Sequence, residues 1–206
     1  MNDIPKQKNI TLRLYADDTA IISQGKTPRE FVSALQKYIL NLESWLTRWK
    51  IQLNVDKTDA ILFSRLTNCP EVKSFNTPIP WKNEVKYLGV ILDKSLTFKS
   101  HIDYTRDKFS TAFRRQCSLI FRNSRLSLNN KWLIYLAYLR PILAYASPVW
   151  ACTAKTHLNK LEFLENKTIR MIINACWYQR NADLRQALKI PSLKEFSQKL
   201  AKNFLL

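Results

Sequence analysis

The sequence predicts an α+β protein that is predominantly helical, with a short antiparallel sheet and a long packed helix first and an all-helical basic region after it. Three observations lead there. Two runs of β-favouring residues flank Asp17-Asp18 in LRLYADDTAIIS, residues 12–23. Both glycines, Gly25 and Gly89, lie in the first half, so the second half has few residues suited to φ > 0 turns and reads as helices. Charge shifts at the same place. Residues 1–93 hold 13 Lys and Arg against 10 Asp and Glu, whereas residues 94–206 hold 20 against 6. The expected division is therefore 1–93 and 94–206.

Each element has its own signal. LRLYADDTAIIS reads as strand, tight turn, strand. Thr27-Pro28-Arg29-Glu30 marks a helix start, with Thr27 as cap, Pro28 at the first helical position and Glu30 closing a capping box. Phe31, Leu35, Tyr38, Leu42, Trp45 and Trp49 then recur in steps of three and four, one apolar stripe along a helix of about six turns. It is expected to pack on the sheet containing residues 10–23. Strands are predicted at Ile51 to Asn54 and Asp59 to Ser64, then at Val85 to Asp93. The stretch TNCPEVKSFNTPIPW, with three prolines, reads as a loop or irregular ribbon. Beyond residue 97, Ser127 opens a helix that Pro141 ends, and Thr156 precedes a long stretch to Cys176. Ser192-Leu193-Lys194-Glu195 is a second capping box, opening a helix with Leu193, Phe196, Leu200 and Phe204 on one side.

Composition narrows the function. With 46% apolar and 12% aromatic residues among 206, the chain has ample material for a core. No apolar run approaches a membrane span, and MNDIPKQKN lacks the apolar stretch of a signal peptide. Cys69, Cys117, Cys152 and Cys176 contain no CxxC, and only His101 and His157 accompany them, so free thiols in a reducing compartment are expected. The expected location is intracellular, nuclear or cytoplasmic. A net charge of +17, concentrated in the second half, points to a polyanionic partner, most often nucleic acid.

Asp17 and Asp18 are the chemically informative pair. Neighbouring carboxylates on a tight hairpin repel unless cations neutralise them. Mg²⁺ prefers carboxylate oxygen and shares it with substrate phosphates, and two such ions can clamp the attacking and leaving oxygens of a phosphoryl transfer. A plain turn role is the alternative.

The motifs then carry a resemblance. YADD between strands resembles the catalytic hairpin of reverse transcriptases. NDIP at 2–5, LYADDTAI, W…W…LNVDKT at 45–58 and KYLGVILD at 86–93 resemble, in that order, the palm of jockey-like non-LTR retrotransposons. YLRPILAYASPVW at 138–150 and RMIINACWYQRNADLRQALKIPSL at 170–193 resemble the region downstream of it. The resemblance runs over almost the whole chain. It implies an RNA-directed DNA polymerase that works on an RNA template with a DNA primer. Residues 1–93 would be part of its palm, and 94–206 the thumb and the region downstream.

Residue by residue, the resemblance implies that Asp17 and Asp18 help bind two Mg²⁺ ions, with Tyr15 and the small Ala16 under the primer terminus. Lys57 in LNVDKT would assist pyrophosphate departure, a task that suits a mobile ammonium; a solvated turn lysine is the alternative. Tyr87, Leu88 and Gly89 would form the primer grip, Gly89 allowing close backbone approach, or else an ordinary strand with a bulge. Arg106, Lys108, Arg114, Arg115, Arg122 and Arg125 surround apolar Phe109, Phe113 and Leu119, with Asp107 the one acid among them. One face would pack and the other contact duplex phosphates regardless of sequence. Trp132, Trp150 and Trp177 read as core or interface residues rather than base-stacking platforms.

One expectation concerns what is missing. The resemblance implies a further metal-binding aspartate encoded well upstream of YADD, together with fingers and a nucleotide-selecting segment, and the chain begins at NDIP. The third protein ligand for the ions is thus expected to be absent; Asp3, Asp56 and Asp59 are the nearest substitutes. The hairpin would pair with a strand from that missing N-terminal half, which would then be a partner of this chain. On this reading the chain is a polymerase fragment inactive alone, or a truncated or decayed element copy that at most binds RNA or DNA.

Overall fold

The computed structural model describes residues 3–64, 69–151 and 153–205, with the backbone alone at 204–205. It has two compact units, residues 1–96 and 97–206. The architecture is α+β, with helices outweighing short, mostly antiparallel ladders.

In the first unit, β1 (Ile10–Tyr15) and β2 (Asp18–Ser23) pair antiparallel from Ile10 opposite Ser23 to Tyr15 opposite Asp18. No third strand joins this ladder among the described residues, and Leu14, Tyr15 and Ile22 are left exposed. Helix α1 (Pro28–Arg48) starts as the sequence predicts. The Thr27 hydroxyl accepts from the Glu30 backbone N–H, and the Glu30 carboxylate accepts from the Thr27 backbone N–H.

The stripe on α1 is broader than the one-line periodicity. Val32, Ile39 and Leu46, seven apart, are buried beside Tyr38, while Trp49 is exposed. Val32 and Ile39 pack with Val72 and Ile79 of a ribbon, β4 (Val72–Ser74) with β5 (Thr77–Ile79), inside the stretch that reads as a loop or irregular ribbon. The Gln36 side chain continues that ribbon's pairing, donating to Lys73 O at 2.9 Å and accepting from Lys73 N at 2.8 Å. Ser23 at the end of β2 donates its hydroxyl to Phe31 O of α1, and Gln7, ahead of β1, donates Nε2 to Ala34 O.

Three strand expectations change. Ile51–Asn54 forms no strand, because the chain leaves α1 through Lys50 at φ 54° and then spends Asn54 as cap of a 3-10 turn, Val55–Lys57. Of Asp59–Ser64 only β3 (Ala60–Ile61) pairs, in parallel with β6 (Trp81–Lys82). Val85–Asp93 is not one strand but a hairpin, β7 (Glu84–Tyr87) with β8 (Val90–Asp93).

The second unit is helical throughout. α2 spans Lys99–Ile120, α3 Leu128–Ile134, α4 Arg140–Ala144, α5 Ser147–Trp150, α6 Lys155–Ile172, α7 Asn181–Ala187 and α8 Leu193–Leu205. Ser127 caps α3, and the Ser192–Glu195 box opens α8. Phe204's side chain lies outside the described residues, as does Cys152; Cys69, Cys117 and Cys176 are free thiols.

Pro141 does not end its helix. A π-helical turn, Tyr135–Leu139, joins α3 to α4, with Arg140 N–H donating to Tyr135 O five residues back. Proline has no N–H to donate and its ring crowds the carbonyl four residues earlier. The wider turn absorbs that crowding while the chain stays helical.

At the centre of this unit Glu165 of α6 has no exposed surface. Its carboxylate accepts from Tyr135 Oη at 2.6 Å and from Arg185 Nη2 at 2.7 Å, with Arg140 Nε at 3.8 Å. Arg140 and Arg185 both also donate to Pro191 O, and the Arg140 guanidinium lies 4.4 Å over the Phe196 ring. Burial, reinforced by the neighbouring carboxylate, pushes the Tyr135 phenol up, so it remains a donor. No helix among the described residues is long and apolar enough to cross a membrane.

Candidate active site

The aspartate pair sits where a two-residue loop turns β1 into β2. Tyr15 faces Asp18 as the last ladder pair, leaving Ala16 and Asp17 as the loop. Ala16 has φ 51°, and Asp17 is not in the positive-φ region, the φ pattern of a type II′ turn. Such a position normally favours glycine, so the alanine stores strain on the order of 1 kcal/mol. Tyr15, Ala16, Asp17 and Asp18 are all exposed.

A second tight turn carries Tyr87, Leu88 and Gly89. Tyr87 pairs with Val90, and the two loop residues, Leu88 at φ 45° and Gly89 at φ 78°, are both left-handed. That is the type I′ pattern, whose second position glycine fills without strain. The turn between β4 and β5 adopts the same pattern with Phe75 at 46° and Asn76 at 60°. Lys57 is exposed on the 3-10 turn that Asn54 caps. The aspartates, Lys57 and the Tyr87–Gly89 turn thus lie on three separate elements, and the two hairpins belong to different ladders.

No group of three His, Cys, Asp or Glu side chains capable of holding a metal gathers among the described residues. Two of the substitute ligands are engaged elsewhere. Asp3 accepts from Trp45 Nε1 at 3.3 Å, and Asp59 pairs with Lys82 at 2.6 Å. For Asp3, desolvation acts upward, but hydrogen bonds from the Trp45 indole, its own backbone and Trp49 together outweigh it and lower the carboxyl's pKa. Asp56 is the middle residue of the 3-10 turn and is exposed.

The basic residues fall on α2 and the turn after it. Phe109 is buried, Phe113 half-buried and Leu119 exposed. Arg106 is spoken for, with Asp103 at 3.4 Å and Asp107 at 3.0 Å. Lys108, Arg114, Arg115, Arg122 and Arg125 are exposed. Lys108 and Arg115 lie seven apart on one side of α2.

Two features carry no signal that the sequence alone reveals. One is the buried Glu165 cluster, whose partners are up to 30 residues away. The other is the exposure of Trp177. Trp150 is fully buried and Trp132 half-buried, as core residues should be, but Trp177 is 90% exposed.

Residues 1–92 match the family model for reverse transcriptase (RNA-dependent DNA polymerase). That segment carries the reverse transcriptase signature. Over nearly its whole length it is similar to the RNA-directed DNA polymerase from mobile element jockey, a non-LTR retrotransposon. Identity is 35% over 97% of the chain for the Drosophila melanogaster protein and 34% over 98% for that of Drosophila funebris. The probable RNA-directed DNA polymerase from transposon X-element of Drosophila melanogaster is 29% identical over 88% of the chain. The chain spans only 22%, 23% and 20% of these relatives' lengths. No solved structure matches.

Proposed function

We propose that the chain is the portion of a non-LTR RNA-directed DNA polymerase that carries the YADD carboxylates, the primer grip and the duplex-holding helices. The observation that carries this reading is the exposed Asp17-Asp18 pair on a strained hairpin turn, inside a segment that matches reverse transcriptases. On this reading residues 1–93 form part of a palm, and 94–206 form the thumb and the region downstream of it.

The donor chemistry fits a hard divalent cation such as Mg²⁺. Two carboxylates with free access to water can hold an ion that keeps waters and substrate phosphates as its other ligands. When bound, such ions supply charge neutralisation for the attacking 3′-oxygen and the departing pyrophosphate. Asp17 and Asp18 hold and orient. Ala16 keeps the space beside them clear, since any larger side chain would reach further from a turn already strained. The Lys57 ammonium offers a proton and a positive charge to the leaving pyrophosphate oxygen. The Leu88–Gly89 turn lets a primer backbone approach, because Gly89 adds no side chain. Lys108, Arg114 and Arg115 contact phosphates of the RNA–DNA hybrid without reading sequence.

On this reading the chain binds the hybrid and does not extend the primer alone. The test is primer extension with Mg²⁺, deoxynucleotides and an RNA template carrying an annealed DNA primer, with hybrid binding read in parallel. Binding that weakens steeply with salt and no extension are expected. Arg114→Ala/Arg115→Ala should lower the slope of log affinity against log salt by about 1 to 2. Failure to bind hybrid at low salt would refute the duplex-holding role. Extension abolished by Asp17→Asn/Asp18→Asn would show that these residues complete a centre by themselves.

A further inference from the structure

We infer that the loop carrying Trp177 and Tyr178 is a stacking site for unpaired bases of single-stranded nucleic acid. It goes beyond the duplex-holding role proposed for α2 and uses none of its residues. The loop lies between α6 and α7. Trp177 is 90% exposed and Tyr178 68%, in a unit that buries Trp150 completely. Their rings meet edge to face, 5.9 Å apart at 85°, and so present two differently oriented π-faces to solvent.

The loop is held rigid rather than frayed. The Arg170 guanidinium donates to the carbonyls of Cys176 and Gln179 and to Asn181 Oδ1, spanning its base. Cys176 N–H donates to Gln179 Oε1 at 2.8 Å, and Gln179 N–H returns to Cys176 O at 3.1 Å. A fixed loop has already lost the freedom that binding would otherwise remove. Its surroundings favour nucleic acid over an apolar protein surface. Asn174, Gln179, Arg180 and Asn181, which flank the two aromatics in the chain, are exposed, so their sequence neighbours at the surface are polar. Residues 166–182 include Lys167, Arg170 and Arg180 and no acid. Aromatic faces beside positive charge are the combination that holds single strands without regard to sequence.

The test is fluorescence anisotropy of labelled oligouridylate and oligothymidylate of about 12 nucleotides, a length within the usual single-strand site range. Trp177→Ala/Tyr178→Ala should weaken single-strand binding by about 5- to 150-fold, the worth of one base stack. Trp177→Phe should restore most of it, and hybrid binding should be unchanged. A loss on either strand supports the site, and the larger loss names the strand. Unchanged affinity in the double variant, or no single-strand binding by the parent chain, overturns it. So does a double variant whose only change is a lower mass at high concentration, which would mark the loop as a contact between copies. Arg114→Ala/Arg115→Ala on the hybrid reports the duplex reading separately, so failure of one leaves the other standing.

Discussion

Asp17 and Asp18 on one side, and Glu165 on the other, are opposite ways of placing negative charge. The aspartates stand exposed at a turn whose strain they do nothing to relieve. Glu165 is sealed from water and surrounded by Tyr135, Arg185 and Arg140. A buried carboxylate survives only if its attractions replace hydration, so this one joins the π-helical turn, α4, α6 and α7 at a single point. An exposed pair has no such work in the fold. The contrast separates charge that organises the protein from charge available to something outside it.

Removing Glu165 should produce the largest effect. Glu165→Ala leaves two guanidinium groups facing a cavity and should cost about 3–5 kcal/mol in denaturant unfolding. A loss below about 1 kcal/mol would break the comparison. Thr27→Ala, which opens the capping box of α1, should cost about 1 kcal/mol by the same measurement. Asp103 lies between the extremes, part-exposed and paired with Lys160 at 2.9 Å. The hydrogen bond from Lys160 comes first among the causes that hold its carboxyl below its ordinary value of 3.8, outweighing partial desolvation. The unfolded chain therefore takes up this proton more readily than the folded one. The contribution is complete above the ordinary value and disappears as pH falls through the lowered one. Stability measured against pH should show Asp103→Asn matching its parent below pH 3.8 more closely than above it. Smallest of all, Asp17→Asn/Asp18→Asn should change stability by less than about 0.5 kcal/mol. A large loss there would give the pair a structural role and remove the reason to seek a ligand for it.

How much of the molecule is legible in its residues depends on the range of the interactions. The two capping boxes, the Ser127 cap and the turn of the Asp17 hairpin rest on residues at most three or four apart, and each is legible. The same holds for the α+β class, because strand-favouring runs and glycine content change along the chain itself. The Glu165 cluster is not legible, since Tyr135, Arg140 and Arg185 look like any other tyrosine and arginines until the helices meet. Ile51–Asn54 has the residues of a strand but no neighbour to pair with, and a ladder needs two. Leu88 gives no sign of a turn, because a leucine at positive φ contradicts its own preference. The burial of Trp150 and the exposure of Trp177 depend on where α5 and the α6–α7 loop come to rest, and not on the tryptophans.

The π-helical turn has a consequence for register. One residue more than an α-helical turn needs rotates the helix before it by about 100° relative to the helix after it. Leu136, Ala137 and Tyr138 are the three exposed residues of that turn, between buried Tyr135 and Leu139. Deleting any one of them would leave a helix that still forms but is out of phase. Lys131, whose buried ammonium caps α2 by donating to Phe121 O at 3.0 Å, would swing away from that carbonyl, and Tyr135 from Glu165. The turn is where the helix keeps its count, and one surplus residue on its outer side keeps both ends aimed at their partners.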